Sequence, residues 1–223
     1  FEPASPGERI LKRIGWITVI VLVLAMAGGA LLLGRFGADT PVVYKDDLEH
    51  FKYGSLGCEH EFGVPYWIWR ALPELFEDKL PQRGRGWESV GFVFEKGKNL
   101  PVDMSQRRYL EFDVVRLNSA FCHAGTVRES ADSEPRVYSA MPANTFDFRA
   151  FMRLLFATGE DRRFTPRDIL RQIKVIRERE GLDDLPLIDR LVLRFYGIYF
   201  MGERILTLRD RLDFIKEQPE WGP

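Results

Sequence analysis

The sequence predicts a mainly α protein: one N-terminal transmembrane helix, then a helical domain with a small β-hairpin and long loops. Three observations predict it. Residues 14–34 carry no charged side chain, and about 20 apolar residues span a bilayer as a helix. Beyond residue 140, apolar side chains recur at helical spacing between sharp capping signals. Between these regions, residues 90–95 and 109–115 alternate well enough to pair as two short strands.

The N-terminal span comes first. A cleaved signal peptide is the competing reading, but its apolar region runs for roughly 7–15 residues before a small-residue cleavage site. Here apolar sequence continues past Ala25-Met26-Ala27, which favours an uncleaved anchor. Arg9, Lys12 and Arg13 precede the span, and Arg35 alone follows closely. The positive-inside rule then keeps the N-terminus in the cytoplasm and places everything after Arg35 outside. The expected organisation is a cytoplasmic segment 1–13, an anchor 14–34, a linker 35–52 and an outward-facing domain 53–223.

Composition narrows the class. The chain is 45% hydrophobic and 29% charged with a formal net charge of −1, which suits one anchored domain of ordinary globular make-up. That balance gives no electrostatic footprint for nucleic acid, so no such partner is expected. The cysteines are Cys58 and Cys122 and the histidines His50, His60 and His123. None of them fall in a cluster with zinc spacing.

The domain elements follow in order. Glycines and Pro65 make residues 53–65 a loop. The aromatic run Tyr66-Trp67-Ile68-Trp69 then opens a helix to about Lys79, strained by Pro73. Thr145 is the expected cap of a helix from Phe146 to about Ala157, ended by Gly159. Thr165-Pro166-Arg167-Asp168 starts another, with Ile169, Ile173 and Ile176 as its buried face and Gly181 as its stop. The longest helix starts at Asp184 with Pro186 in its first turn. Its Leu191, Ile198, Ile205 and Leu212 repeat every seven residues as a core stripe.

The chemistry-bearing stretch is Ser119-Ala120-Phe121-Cys122-His123. It is the c-type haem attachment pattern Cys-x-x-Cys-His with Ser119 in place of the first cysteine. A thiol adds to a haem vinyl group, and the adjacent histidine reaches the iron. Cys122 and His123 keep both roles. Ser119 cannot form a thioether, so at most one covalent bond to haem is possible. The competing reading is a small buried thiol beside a surface histidine, or Cys122 in a disulfide with Cys58.

Four stretches share a further likeness: Tyr53-Gly54-Ser55-Leu56-Gly57, then Gly63-Val64-Pro65-Tyr66-Trp67-Ile68-Trp69, then Asn118 through Arg128, and Met141-Pro142-Ala143-Asn144-Thr145-Phe146-Asp147. Together they resemble a family of periplasmic dihaem cytochromes, related to the bacterial dihaem peroxidases and the rubber-cleaving dihaem oxygenases. The likeness covers about residues 53–223, roughly the first half of the molecule in that family. It implies a cytochrome c-like domain on the outer face of a bacterial inner membrane, with haem c held through a single thioether to Cys122. His123 is then the proximal iron ligand, and Met141 or His60 the candidate sixth ligand. Arg116 and Arg128 are candidate contacts for the haem propionates, because a guanidinium fork matches a carboxylate. The implied role is electron transfer, alone or as a subunit of a membrane redox complex, with a redox partner protein. Two alternatives stand beside it: a haem-less accessory subunit with a Cys58–Cys122 disulfide, and a small haem peroxidase or oxygenase. No phosphate-binding Gly-Lys-Ser/Thr loop and no Gly-x-Ser-x-Gly elbow is present.

Overall fold

The structure, a computed structural model, describes residues 6–37, 39–56, 63–102, 104–109, 112–212 and 214. It separates into two units, Phe1–Asp39 with Tyr109–Glu111, and Thr40–Arg108 with Phe112–Pro223. His60 and Cys58, each named above as a candidate, lie outside the described residues.

In the first unit, helix α1 (Pro6–Phe36) contains the apolar span. Residues Lys12–Leu31 have a mean hydropathy of 2.3 and none of them is buried. Trp16, Leu24 and Leu33 are 70, 66 and 77% exposed, a surface that water disfavours at about 25 cal/mol per Å². The one hydroxyl in the span is satisfied: Thr18 Oγ1 donates to the Ile14 carbonyl at 2.9 Å. By length and composition this helix crosses a membrane or serves as a signal sequence.

The second unit is mainly helical, with short strands between helices. Strand β1 (Asp39–Pro41) and helix α2 (Asp47–Tyr53) lie where a linker was expected. Asp46 caps α2 by accepting from Glu49 N at 2.8 Å, and Tyr53 at its end is buried. The signal was present in Asp46-Asp47-Leu48-Glu49, a cap residue with an acid three positions on.

Strand β2 (Val64–Pro65) leads into α3 (Tyr66–Leu75), which contains Pro73. Strands β3 (Met104–Tyr109) and β4 (Phe112–Leu117) follow, and the sheet order is β1-β3-β4-β2. Val64 pairs with Val115 and Pro65 with Val114, antiparallel. The expected strand at 90–95 is not formed. A 3-10 turn runs Gly86–Val90, and Gly91 at φ 91° takes the chain out of the extended conformation. Strand β4 lies between β2 and β3 instead, and β3 reads Met-Ser-Gln-Arg-Arg-Tyr with no clean alternation.

A second antiparallel pair joins β5 (Ala124–Val127) to β6 (Arg136–Ser139), with Ala124 opposite Ser139 and Val127 opposite Arg136. Helix α4 (Phe148–Gly159) begins two residues later than expected. Asp147, not Thr145, is its cap, and Asp147 Oδ1 accepts from Ala150 N at 2.8 Å. Helix α5 (Pro166–Arg179) starts as the sequence indicates: Thr165 Oγ1 accepts from Asp168 N at 3.1 Å, and Ile169, Ile173 and Ile176 are buried. Gly181 follows it at φ 70°.

The long C-terminal helix is interrupted. Helix α6 (Leu187–Val192) passes into a π segment, Leu193–Ile198, and then into α7 (Tyr199–Arg211). The seven-residue stripe holds at Ile198 and Ile205, both buried, and breaks at Leu191, which is 45% exposed while Leu193 is 1% exposed. An i→i+5 turn holds more residues than an α turn, so ahead of the π segment the buried side falls on Leu193 instead of Leu191. Gly197 lies in this segment. A Cβ there would meet Ile68 at 3.2 Å and Pro65 at 3.3 Å, so its small size sets how closely the π turn approaches α3.

The core that positions the rest is a run of rings. Trp69 stacks on Trp87 with centroids 3.9 Å apart, and Trp87 Nε1 donates to the Trp69 carbonyl at 3.0 Å. Phe92 meets Trp69 edge-on at 5.2 Å and Phe146 at 4.9 Å. Phe146 in turn meets Phe121 at 4.4 Å. Edge-to-face pairs of this kind contribute about 1 kcal/mol each beyond their buried area. Helix α3 is also tied to α5 by Arg70–Glu180 and by Glu74–Arg179.

Candidate functional site

Residues Ser119–Cys122 form a 3-10 turn, with His123 closing it. The residue that shapes this turn is Asn118, which is buried. Its Oδ1 accepts from Ala120 N at 2.9 Å. Its amide nitrogen faces the carbonyls of Phe51, Lys52 and Gly54 at 3.3, 3.2 and 3.1 Å. One side chain thus caps the turn and holds it against the C-terminal end of α2. Sequence reading named Asn118 only as part of a resemblance. The available signal was an Asn two residues before Ala120, where its amide mimics backbone in a turn.

Helix α2 is itself anchored. Lys52 Nζ and the Tyr53 hydroxyl donate to Glu95 at 2.6 and 2.7 Å. Burial pushes the Glu95 carboxyl up, but hydrogen bonds from Lys52 and Tyr53 outweigh it, and the group stays below its ordinary value. A carboxyl lowered on folding stabilises the fold above its unfolded pKa, and that stability is lost as pH falls through the folded value. Glu95→Gln is therefore expected to cost about 1 kcal/mol at neutral pH, with the difference from the parent vanishing as the solution is acidified through the lowered carboxyl value. A urea midpoint series against pH measures it. A constant difference at all pH values would refute the assignment.

The candidate ligands are placed as follows. The backbone of Cys122 ends the 3-10 turn, and His123 is exposed just beyond it. Met141 is half-buried. It lies two residues beyond Ser139, as Cys122 lies two residues before Ala124, so both stand at the open end of the β5–β6 hairpin. Ala140 at φ 64° turns the chain there, and Met141 folds back over Gly125. A Cβ on Gly125 would lie 2.8 Å from Met141 Cγ and 3.0 Å from its Sδ. The fold thus brings the motif and Met141 to one edge.

The two candidate arginines are placed as follows. Arg116 is buried in β4, 6% exposed, with its stem against Gly63. Arg128 Nη1 donates to the Ser133 carbonyl at 2.8 Å and so braces the β5–β6 loop. It also lines a groove of about 990 Å³ together with Glu88, Glu95, Lys96, Glu134 and Arg136.

The donor set fits a haem iron in kind. An accessible imidazole and a thioether are both haem axial ligands, and the thiol-bearing residue is adjacent in sequence to the first. Trp69 stacks on Trp87, and the Arg177 guanidinium lies over the Trp67 ring at 4.6 Å. Phe121 directly precedes Cys122, and its ring meets Phe146. Among the described residues, no group of three or more His, Cys, Asp or Glu could hold a bare metal ion.

No family model, no curated protein and no solved structure matches this chain.

Proposed function

We propose that the chain is a membrane-anchored periplasmic c-type cytochrome, acting in electron transfer or as a subunit of a membrane redox complex. The observation that carries this reading is the Cys122-His123 pair on a turn held by buried Asn118, with Met141 at the same hairpin end. Bound haem supplies a one-electron iron couple. Cys122 is the attachment point, and Ser119 limits the bond to a single thioether. His123 would ligate the iron, and Met141 or His60 would supply a further ligand. Asn118 keeps the turn in one geometry, so Cys122 and His123 need no reordering when they engage the group. The apolar helix α1 anchors the domain, and the basic residues before it orient it.

The test is chemical. The haem reading expects a denatured-haem spectrum and an intact mass showing one attached haem. Cys122→Ala should release it into acidified organic solvent, whereas Cys58→Ala should leave it attached. Ser119→Cys should add a second thioether and shift the alkaline pyridine band accordingly. An intact chain with the mass of its polypeptide and no Soret band would overturn the reading. A disulfide between Cys58 and Cys122 in that protein would assign it to the haem-less accessory class, since one sulfur cannot serve both bonds.

A further inference from the structure

The C-terminal helix carries a row of large apolar side chains that no described residue of the second unit covers. Leu187, Leu191, Phe195 and Tyr199 are 64, 45, 69 and 69% exposed. They recur every four residues. On a continuous α-helix that spacing drifts by about 40° per step, and the row would wind out of line within three turns. The π segment Leu193–Ile198 lies in the middle of it. Its wider turn offsets the drift, so the same local distortion that buries Leu193 and Ile198 also keeps the exposed row straight. Arg190 and Arg194 are exposed along one flank, and the Arg194 guanidinium lies 5.8 Å from the Phe195 ring. Ile188, on the opposite flank, is 50% exposed, and Asp189 lies on the far side of the helix, half-buried. An exposed aromatic and aliphatic row edged by arginine is the make-up of a helix that lies in a bilayer interface, with rings at headgroup depth and guanidinium groups on phosphates.

We propose that this face docks onto the surface of an anionic bilayer. The inference rests on the reading of α1 as an anchor. Helix α1 ends at Phe36 and the second unit begins at Thr40. Three intervening residues reach roughly 10 Å, so a bilayer holding α1 is always present at high effective concentration to this unit. Charge complementarity selects the lipid: Arg190 and Arg194 pair with phosphate-bearing anionic headgroups. A second copy of the same face would instead set arginine rows of like charge beside each other.

The full chain in vesicles of phosphatidylcholine with phosphatidylglycerol tests both readings in sequence. Flotation of the chain with the vesicles reports the anchor. Benzoylphenylalanine placed at Phe195, followed by illumination and mass spectrometry, reports what touches the face. The same probe at Glu178, exposed on α5, sets the background. The expected result is a lipid adduct at position 195 well above that at 178. Arg190→Glu and Arg194→Glu should each lower it about fivefold in anionic vesicles and leave it unchanged in pure phosphatidylcholine. A floating chain with no excess of lipid adduct, or with a cross-linked dimer instead, overturns the docking face and leaves the anchor standing. An adduct indifferent to both charge reversals overturns the headgroup assignment. A chain that does not float ends the anchor reading and the docking face with it.

Discussion

Gly91→Ala is expected to destabilise the second unit by about 4 kcal/mol or more, enough to unfold most of it. Gly91 sits at φ 91°, a conformation that costs any residue with a Cβ. The larger effect is contact. A Cβ there would lie 1.8 Å from the Thr145 carbonyl oxygen and 2.5 Å from its carbon. The obstacle is backbone, and it cannot yield, because Asp147 N donates to the Val90 carbonyl at 3.0 Å on the adjoining step. Asp147 also caps α4, and Phe146 beside it closes the ring series onto Phe92 and Phe121. Moving the two segments apart would therefore open the aromatic core. Gly97→Ala is the control: φ there is 80°, with nothing within 4 Å of the added carbon. That variant should lose only about 1 kcal/mol, the conformational part. Denaturant midpoints of the two variants separate the contributions. Equal losses would remove the close-approach argument.

Asn118→Ala is expected to cost about 3 kcal/mol and to loosen the turn that carries Cys122 and His123. The substitution strips the cap from Ala120 N and leaves the buried carbonyls of Phe51, Lys52 and Gly54 without their shared donor. Asn118→Asp sharpens the test. Its carboxylate would face those three carbonyl oxygens, which favour the neutral acid and raise the carboxyl pKa above its unfolded value. A group raised on folding contributes stability below its unfolded pKa and loses it as pH rises through the folded one. Asn118→Asp should therefore be weaker than Asn118→Ala at neutral pH and recover as the solution is acidified. Thermal midpoints at two pH values decide it. If haem is attached as proposed, both variants should also lower the fraction of chain carrying it, because the thiol is no longer held in place. A pH-independent Asn118→Asp variant would show that the side chain does not face those carbonyls.

The helices were legible where capping chemistry was local. Thr165 with Asp168 three residues on marks the start of α5 on sequence grounds alone, and the isoleucines behind it supply the face that packs on α3. Thr145 misleads by the same logic, because Asp147 is an equally good cap nearer the apolar stripe and the chain at Thr145 is claimed by Gly91. The strand expected at 90–95 fails for a related reason. Its alternation is real, but Phe92 and Glu95 are drawn to partners distant in sequence, the tryptophan pair and the end of α2.

For the candidate site, the sequence alone determined the chemistry: a thiol, an imidazole next to it, and no second thiol at Ser119. It determined the apolar span too, since hydropathy over 20 residues needs no tertiary context. Only the tertiary structure decided that Asn118 ties the motif to α2, that Met141 stands at the same hairpin edge, and that the C-terminal helix changes pitch at Leu193. Each of these depends on contacts between residues far apart in sequence, or on a packing competition between turns. Such choices are made by which side chains are buried together, and no periodicity within a single segment records them.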